Sequence, residues 1–182
     1  MDFLQMIDDT IVLWVRTHMR SEFLDGIMTW ISKLGNGGIL WISIGIMLLL
    51  LSIKKGKNLR KWGLLLLISL GLTAILGNLI LKPFIGRIRP YEQLAFPIII
   101  NQLNDFSFPS GHTSAAFAAA WICYAMNKKW GILMLVFAVV MAFSRLYLGV
   151  HYPTDLLAGA VLGTIVSFIV LQCFQVLEQK RI

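Results

Sequence analysis

Gly38-Ile39-Leu40-Trp41-Ile42-Ser43-Ile44-Gly45-Ile46-Met47-Leu48-Leu49-Leu50-Leu51-Ser52-Ile53 forms most of a run of 20 uncharged residues between Lys33 and Lys54. About 20 apolar residues is what a helix needs to cross a bilayer. A second uncharged run of 20, residues 62–81, lies between Lys61 and Lys82. Further apolar segments predict spans beginning at Ser110, near Trp130 and near Asp155, the last ending before Glu178. The chain therefore reads as an all-α integral membrane protein with about five transmembrane helices.

Composition agrees. Of 182 residues, 58% are hydrophobic and 14% charged, against about 25% charged in a soluble domain. So little sequence lies outside apolar stretches that one domain, residues 1–182, is expected, with a membrane core over 38–177. The net charge of +7 could suggest nucleic acid, but the cations sit in short clusters between apolar runs, where topology signals belong. No nucleic-acid partner is expected. Cys123 and Cys173 fall in apolar runs without metal-ligand spacing and read as buried small hydrophobes. The acidic start of the chain does not resemble a cleavable signal peptide.

Residues 1–37 carry two amphipathic patterns. Phe3, Leu4, Ile7, Ile11 and Trp14 recur at helical spacing opposite Asp2, Asp9 and Arg16. Phe23, Ile27, Met28, Ile31 and Leu34 do so opposite Glu22, Asp25, Thr29 and Lys33. Both are expected as interfacial helices, with packing on the bundle as the alternative.

Five spans put the basic clusters 54–61, 128–129 and 180–181 on one side, with nine cations and one acid. The other side has seven cations and eight acids. The positive-inside rule places the first side in the cytoplasm. The loop 82–108, the start of the third span and the 145–155 connection then share the outer face of the plasma membrane.

Those three segments hold polar residues that an apolar chain needs a reason to keep, since a charge at the bilayer centre costs ~2.5–3.5 kcal/mol on insertion scales. Pro109-Ser110-Gly111-His112 reads as a helix opening. Ser110 can cap it, and the free N–H groups of Gly111 and His112 then form an anion site. Lys82, Arg89 and Arg145 would supply charge matched to phosphate oxygens. Two histidines suit a nucleophile and an acid. Asp155, four residues after His151, can accept from one ring nitrogen and leave the other free. Asp105 is the only other nearby acid, a poor metal site on its own.

In three blocks, Lys82…Arg89-Pro90, Pro109-Ser110-Gly111-His112 and Ser144-Arg145…His151…Asp155, the sequence resembles the type-2 phosphatidic acid phosphatase superfamily, whose signature is K-x6-R-P, P-S-G-H and S-R-x5-H-x3-D. Every signature position matches, and the resemblance extends over about residues 22–175. It implies His151 as nucleophile, His112 as general acid and Asp155 as the partner of His151. It also implies Lys82, Arg89, Ser110, Gly111 and Arg145 as the phosphate cradle, with no cofactor and no metal. Many members have six spans; the most N-terminal one has no counterpart here.

The expected function is metal-independent hydrolysis of a phosphate or diphosphate on a membrane phospholipid or polyprenyl phosphate, through a phosphohistidine. Undecaprenyl diphosphate, phosphatidylglycerol phosphate and phosphatidic acid all remain open, the outward site favouring the first. A transporter or flippase binding through the same cations is the rival; it predicts that Lys82 and Arg89 matter while His151 tolerates Asn. A vanadate-dependent haloperoxidase is a remoter one. Arg87 is read as a solvated loop cation, with reach to the phosphate or a lipid headgroup as the alternative, Tyr147 and Tyr152 as interfacial anchors, His18 as a surface histidine and Asn78 as bonded to a neighbouring helix. Gly159 and Gly163 form a GxxxG that would allow a close helix crossing. The stretch 96–100 either covers the site or dips into the bilayer.

Overall fold

The computed structural model describes residues 3–180; Asp2, Arg181 and the side chain of Lys55, which enter the charge pattern above, lie outside what it describes. The described residues form nine α-helices: α1 (Phe3–His18), α2 (Glu22–Leu34), α3 (Ile39–Lys55), α4 (Lys57–Ala74), α5 (Lys82–Ile85), α6 (Pro90–Gln93), α7 (Gly111–Met126), α8 (Lys128–Tyr147) and α9 (Pro153–Gln179). A 3-10 turn, Asn36–Gly38, leads into α3, and a π-helical stretch, Ile75–Leu81, carries α4 on into α5.

Four segments are long and apolar enough to cross a membrane: Asn36–Lys54, Lys57–Gln93, Lys128–Tyr147 and Pro153–Gln179. The remaining expected crossing is α7. Its 16 residues reach ~24 Å at 1.5 Å per residue, and it packs against α4, α8 and α9. Alanines make that central position possible: Ala116, Ala118, Ala119 and Ala120 are fully buried, so neighbouring backbones approach closely. Around them pack Trp41, Leu65, Leu66, Leu70, Met141, Val166 and Val170. The outer faces are equally apolar, with exposed stripes at four-residue spacing such as Ile42, Ile46 and Leu50, or Leu157, Val161 and Ile165. Such stripes suit lipid rather than water. This is a multi-pass membrane protein.

The basic segment 54–61, expected as a loop, is taken up by helix ends. A single residue, Gly56 at φ 97°, separates α3 from α4, and glycine adopts that conformation without a Cβ clash. The GxxxG does form a close crossing. A Cβ on Gly163 would lie 2.2 Å from the carbonyl oxygen of Ser114, and one on Gly159 would lie 2.7 Å from that of Ser110.

The N-terminal helix turns its polar side inward. Asp8, Asp9, Val12 and Val15 are buried, while Phe3, Leu4, Ile7, Ile11 and Trp14 are exposed. Gln5 donates to Asp9 across 2.8 Å, and Asp8 is bonded to residues of the site described below. α1 packs on α8 and α9, and α2 on α8. Tyr147 and Tyr152 are buried, contrary to the expectation of interfacial anchors: Tyr147 donates to Asp25 of α2 at 2.7 Å, and Tyr152 lies under the Arg87 guanidinium. Cys123 is buried, but Cys173 is exposed on α9. His18 is exposed and stacks on Trp14. Phe96, Ile98 and Ile100 pack against a buried cluster of Val15, Tyr91, Tyr147, Leu148 and Val150, so this stretch folds back on the protein.

Candidate active site

Alternating helix directions bring the start of α7, the end of α8, the start of α9 and the segment that follows α4 to one end of the bundle. There a cavity of about 500 Å³ is lined by Lys82, Arg89, Gly111, His112, Arg145 and His151, together with Asp105 and Asn78. Ser110 and Asp155, both fully buried, stand behind that lining. The eight residues expected at the site thus come together, six on the wall and two in its support.

Ser110 caps α7. Its backbone N–H donates to the Asp155 carbonyl at 3.1 Å, and its hydroxyl accepts from that of Thr113 at 3.0 Å. Gly111 lets Asn78 come close, since a Cβ there would meet Asn78 Oδ1 at 2.9 Å and displace that side chain. Asn78 itself, expected to bond a neighbouring helix, is exposed to the cavity. The π-helical turn explains this, because it re-aims successive side chains relative to an α-helix.

The cations are held in different ways. Arg89, almost fully buried, donates through Nε to the Asp105 carbonyl (2.8 Å), through Nη1 to the Val150 carbonyl (2.7 Å) and through Nη2 to Asp105 Oδ1 (2.5 Å). Lys82 pairs with Asp105 Oδ2. Arg145 donates from Nη1 to the Ser32 hydroxyl, and its buried Nε has no protein partner. Asp105 is therefore part of the site. Burial would raise its pKa, but Lys82 and Arg89 hold it down to about 2.

His151 is 1% exposed. Its Nδ1 lies 3.4 Å from the Ser107 hydroxyl and 3.6 Å from Asp155 Oδ2, too long for a direct hydrogen bond. Ser107 stands between them, donating to Asp155 Oδ2 at 2.5 Å. Having given its only proton to the carboxylate, that hydroxyl can only accept from His151, which assigns the proton to Nδ1. Nε2 then carries a lone pair, matching the Arg89 Nη1 donor 3.4 Å away. Burial pushes the His151 pKa down to about 3; Asp155 opposes this, while Arg89 and Arg145 reinforce it. The expected His151–Asp155 pair is present, with Ser107 bonded into it. His112 presents Nε2 to Asn36 Oδ1 at 3.0 Å, so the turn before α3 also reaches the site.

Arg87 is not a solvated loop cation. Its side chain is 17% exposed and pairs with Asp8 and Asp155, each at 2.6 Å. Sequence reading also passed over Ser107, Asn36 and Ser32. Only Ser107 carried a signal, three residues before the cap at Ser110. Among the described residues, no group of three or more His, Cys, Asp or Glu side chains could hold a metal ion.

The model of the PAP2 superfamily matches residues 62–179. The chain belongs to that superfamily. An undecaprenyl-diphosphatase of Sulfolobus acidocaldarius is 33% identical over 82% of this chain and 70% of its own length. Phosphatidylglycerophosphatase B of Bacillus subtilis is 34% identical over 84% of this chain and 76% of its own. The crystal structure of a transmembrane PAP2-type phosphatidylglycerolphosphate phosphatase from Bacillus subtilis superposes with a TM-score of 0.76, at 30% identity, covering 96% of this chain and 88% of that one. This PAP2 protein is a membrane phosphatase acting on lipid phosphates.

Proposed function

We propose that the chain works as one domain, removing a terminal phosphate from a membrane lipid by way of a phosphohistidine at the outer face of the plasma membrane, with residues 1–37 lying along that face. The observation that carries this reading is the placement of His151 Nε2, 3.4 Å from Arg89 Nη1, in a cavity shared with Lys82, Arg89, Arg145 and His112. Nε2 attacks phosphorus and forms an N–P bond while the P–O bond to the lipid breaks. His112 donates a proton to the departing oxygen. Water, giving a proton back to His112, then attacks phosphorus, and the N–P bond breaks to release phosphate. Lys82, Arg89 and Arg145, with the N–H groups of Gly111 and His112 beyond the Ser110 cap, stabilise the phosphoryl oxygens. Three fixed cations supply the positive charge a metal would otherwise bring, so no metal is invoked.

Among the described residues, Lys54, Lys57, Arg60, Lys61, Lys128, Lys129 and Lys180 lie at the far end of the bundle, which supports a cytoplasmic placement of that end, hence an outward site. Outward access suits a diphosphate on a polyprenol, the activity named for the Sulfolobus relative. Phosphatidylglycerol phosphate is the alternative that the Bacillus relative favours.

The test is phosphate release from undecaprenyl diphosphate, phosphatidylglycerol phosphate and phosphatidic acid by detergent-purified protein in excess EDTA. Wild type is expected to release phosphate, and His151→Ala to abolish release. Undiminished release by the variant would overturn the nucleophile assignment.

A further inference from the structure

The Asp155 carboxylate is held from two sides. Oδ2 accepts from Ser107 at 2.5 Å and from the Tyr152 backbone N–H at 2.9 Å. Oδ1 accepts from Arg87 Nη1 at 2.6 Å. The same Nη1 donates to the Thr154 hydroxyl at 2.7 Å, and the guanidinium carbon lies 4.0 Å from the Tyr152 ring centroid. The other nitrogen, Nη2, is occupied by α1: it donates to Gln5 Oε1 at 2.7 Å and to Asp8 Oδ2 at 2.6 Å. Asp8, 1% exposed, also accepts from the Thr154 backbone N–H at 3.1 Å and from the Thr154 hydroxyl.

This arrangement does more than fasten a helix. Two buried carboxylates share one guanidinium, and only an arginine fork offers in-plane donors to both. Anchoring Oδ1 fixes the rotation of the Asp155 carboxylate and keeps Oδ2 toward Ser107 and His151. We propose that Arg87, itself held by Gln5 and Asp8 of the N-terminal helix, is a positioning residue for the His151–Asp155 pair and sets the charge balance felt by His151. The inference rests on the phosphatase reading in which His151 is the nucleophile. It makes α1, which lies outside the matched residues 62–179, a working part of the site.

The charge argument has a sign. His151 is faced by Lys82 from α5, Arg89 from the turn before α6, Asp105 from the following loop, His112 from α7, Arg145 from α8 and Asp155 from α9. Arg87 is faced by Asp8 from α1, Asp155 from α9 and the Tyr152 ring from the turn before α9. Removing the Arg87 charge leaves two buried carboxylates unbalanced, so His151 takes up its proton at higher pH. Removing the Asp8 charge leaves Arg87 to act on Asp155 alone, and His151 protonates at lower pH. A fastening that were only structural would weaken the protein in both cases and give no opposed shifts.

The experiment compares kcat, KM and the pH profile of kcat for the full-length wild type, Arg87→Gln, Arg87→Lys and Asp8→Asn in detergent, with inhibition by inorganic phosphate measured on each. Arg87→Gln should lose ~10–100-fold in kcat, by analogy with the loss when an outer partner of a metal-ligating histidine is removed. KM and the phosphate Ki should stay within about threefold, since the cradle is untouched. The acid limb of kcat should move to higher pH in Arg87→Gln and to lower pH in Asp8→Asn. Arg87→Lys should restore the limb but not the full kcat, because an ammonium lacks the rigid planar fork that holds both carboxylates in fixed register. Unchanged kcat in Arg87→Gln, limbs moving the same way, or a Ki rising in step with KM would overturn the proposal, the last by making Arg87 a phosphate ligand. Should Arg87→Gln fail to fold, Asp8→Asn decides by a limb moved to lower pH and Arg87→Lys by a lowered kcat with the limb in place. A wild type that releases no phosphate would overturn the phosphatase reading, and this inference with it. Release by wild type with unmoved profiles in Arg87→Gln and Asp8→Asn would overturn this inference alone.

Discussion

Asp105 Oδ1 rests 2.5 Å from Arg89 Nη2, and its other oxygen pairs with Lys82, so a carboxylate of the protein lies on two of the cations assigned to phosphate. The side chain is 53% exposed, on a loop, and can be displaced by a better-matched anion. Arg89 does not depend on it for placement, because Nε also donates to the Asp105 backbone carbonyl. Asp105→Ala should therefore free the cations without misplacing them. Inhibition by inorganic phosphate should tighten by ~3- to 10-fold, as expected when a competing charge-assisted contact is lost. Because Lys82 and Arg89 hold Asp105 down to about 2, it is protonated only in strong acid. The tightening should then be constant from about pH 5 to 8. A phosphate Ki unchanged or weakened in Asp105→Ala would make Asp105 a support of the cradle rather than a competitor.

His151 gives the fold an acid liability. Its folded pKa is about 3, against about 6.5 for an unfolded histidine, so the unfolded chain binds more protons between those values. Stability is full above pH 6.5 and falls as pH drops toward 3. At pH 5 the loss from this one group reaches about 2 kcal/mol. Thermal midpoints of wild type and His151→Gln at pH 7.5 and 5 should show the smaller drop in the variant. Equal drops would mean that His151 finds a stabilising partner for its protonated form.

The parts of the site that were legible in the sequence are those set by local chemistry. Ser110 and Gly111 announce a capped helix start, and Lys82, Arg89, Arg145 and the histidines stand out because charge is costly in so apolar a chain. Span lengths placed them at one end. What escaped depends on facing. For α1 the spacing of Phe3, Ile7 and Ile11 identifies an apolar stripe, but in a membrane that stripe can face lipid as readily as protein. The inward side turned out to be the one with Asp8, and Arg87 then acquired partners about 80 residues away in the chain. The burial of Tyr147 and Tyr152 follows from the same docking of α1 and α2. Asn78 escaped because nothing in the sequence signals the π-helical stretch Ile75–Leu81 that carries it.

The α7–α9 crossing links packing to the site and supplies a graded test. At Gly163 a Cβ would lie 2.2 Å from the Ser114 carbonyl oxygen and 2.9 Å from the Ala118 nitrogen. Both are backbone atoms, which cannot rotate away, so Gly163→Ala must push the helices apart. Overpacking of this kind costs ~1–3 kcal/mol, and a lowered thermal midpoint should report it. Gly159 stands against the Ser110 carbonyl oxygen at 2.7 Å, and the Ser110 N–H is bonded to the Asp155 carbonyl. Displacement there reaches the α7 cap and the support of His151 together. Gly159→Ala should consequently lose more activity per degree of midpoint lost than Gly163→Ala. Gly26→Ala in α2 is the control: nothing lies within 4 Å of its Cβ, and replacing a helical glycine there should stabilise by up to about 1 kcal/mol. If Gly159→Ala and Gly163→Ala lose activity only in proportion to stability, the crossing holds the bundle together but does not set the geometry of the site.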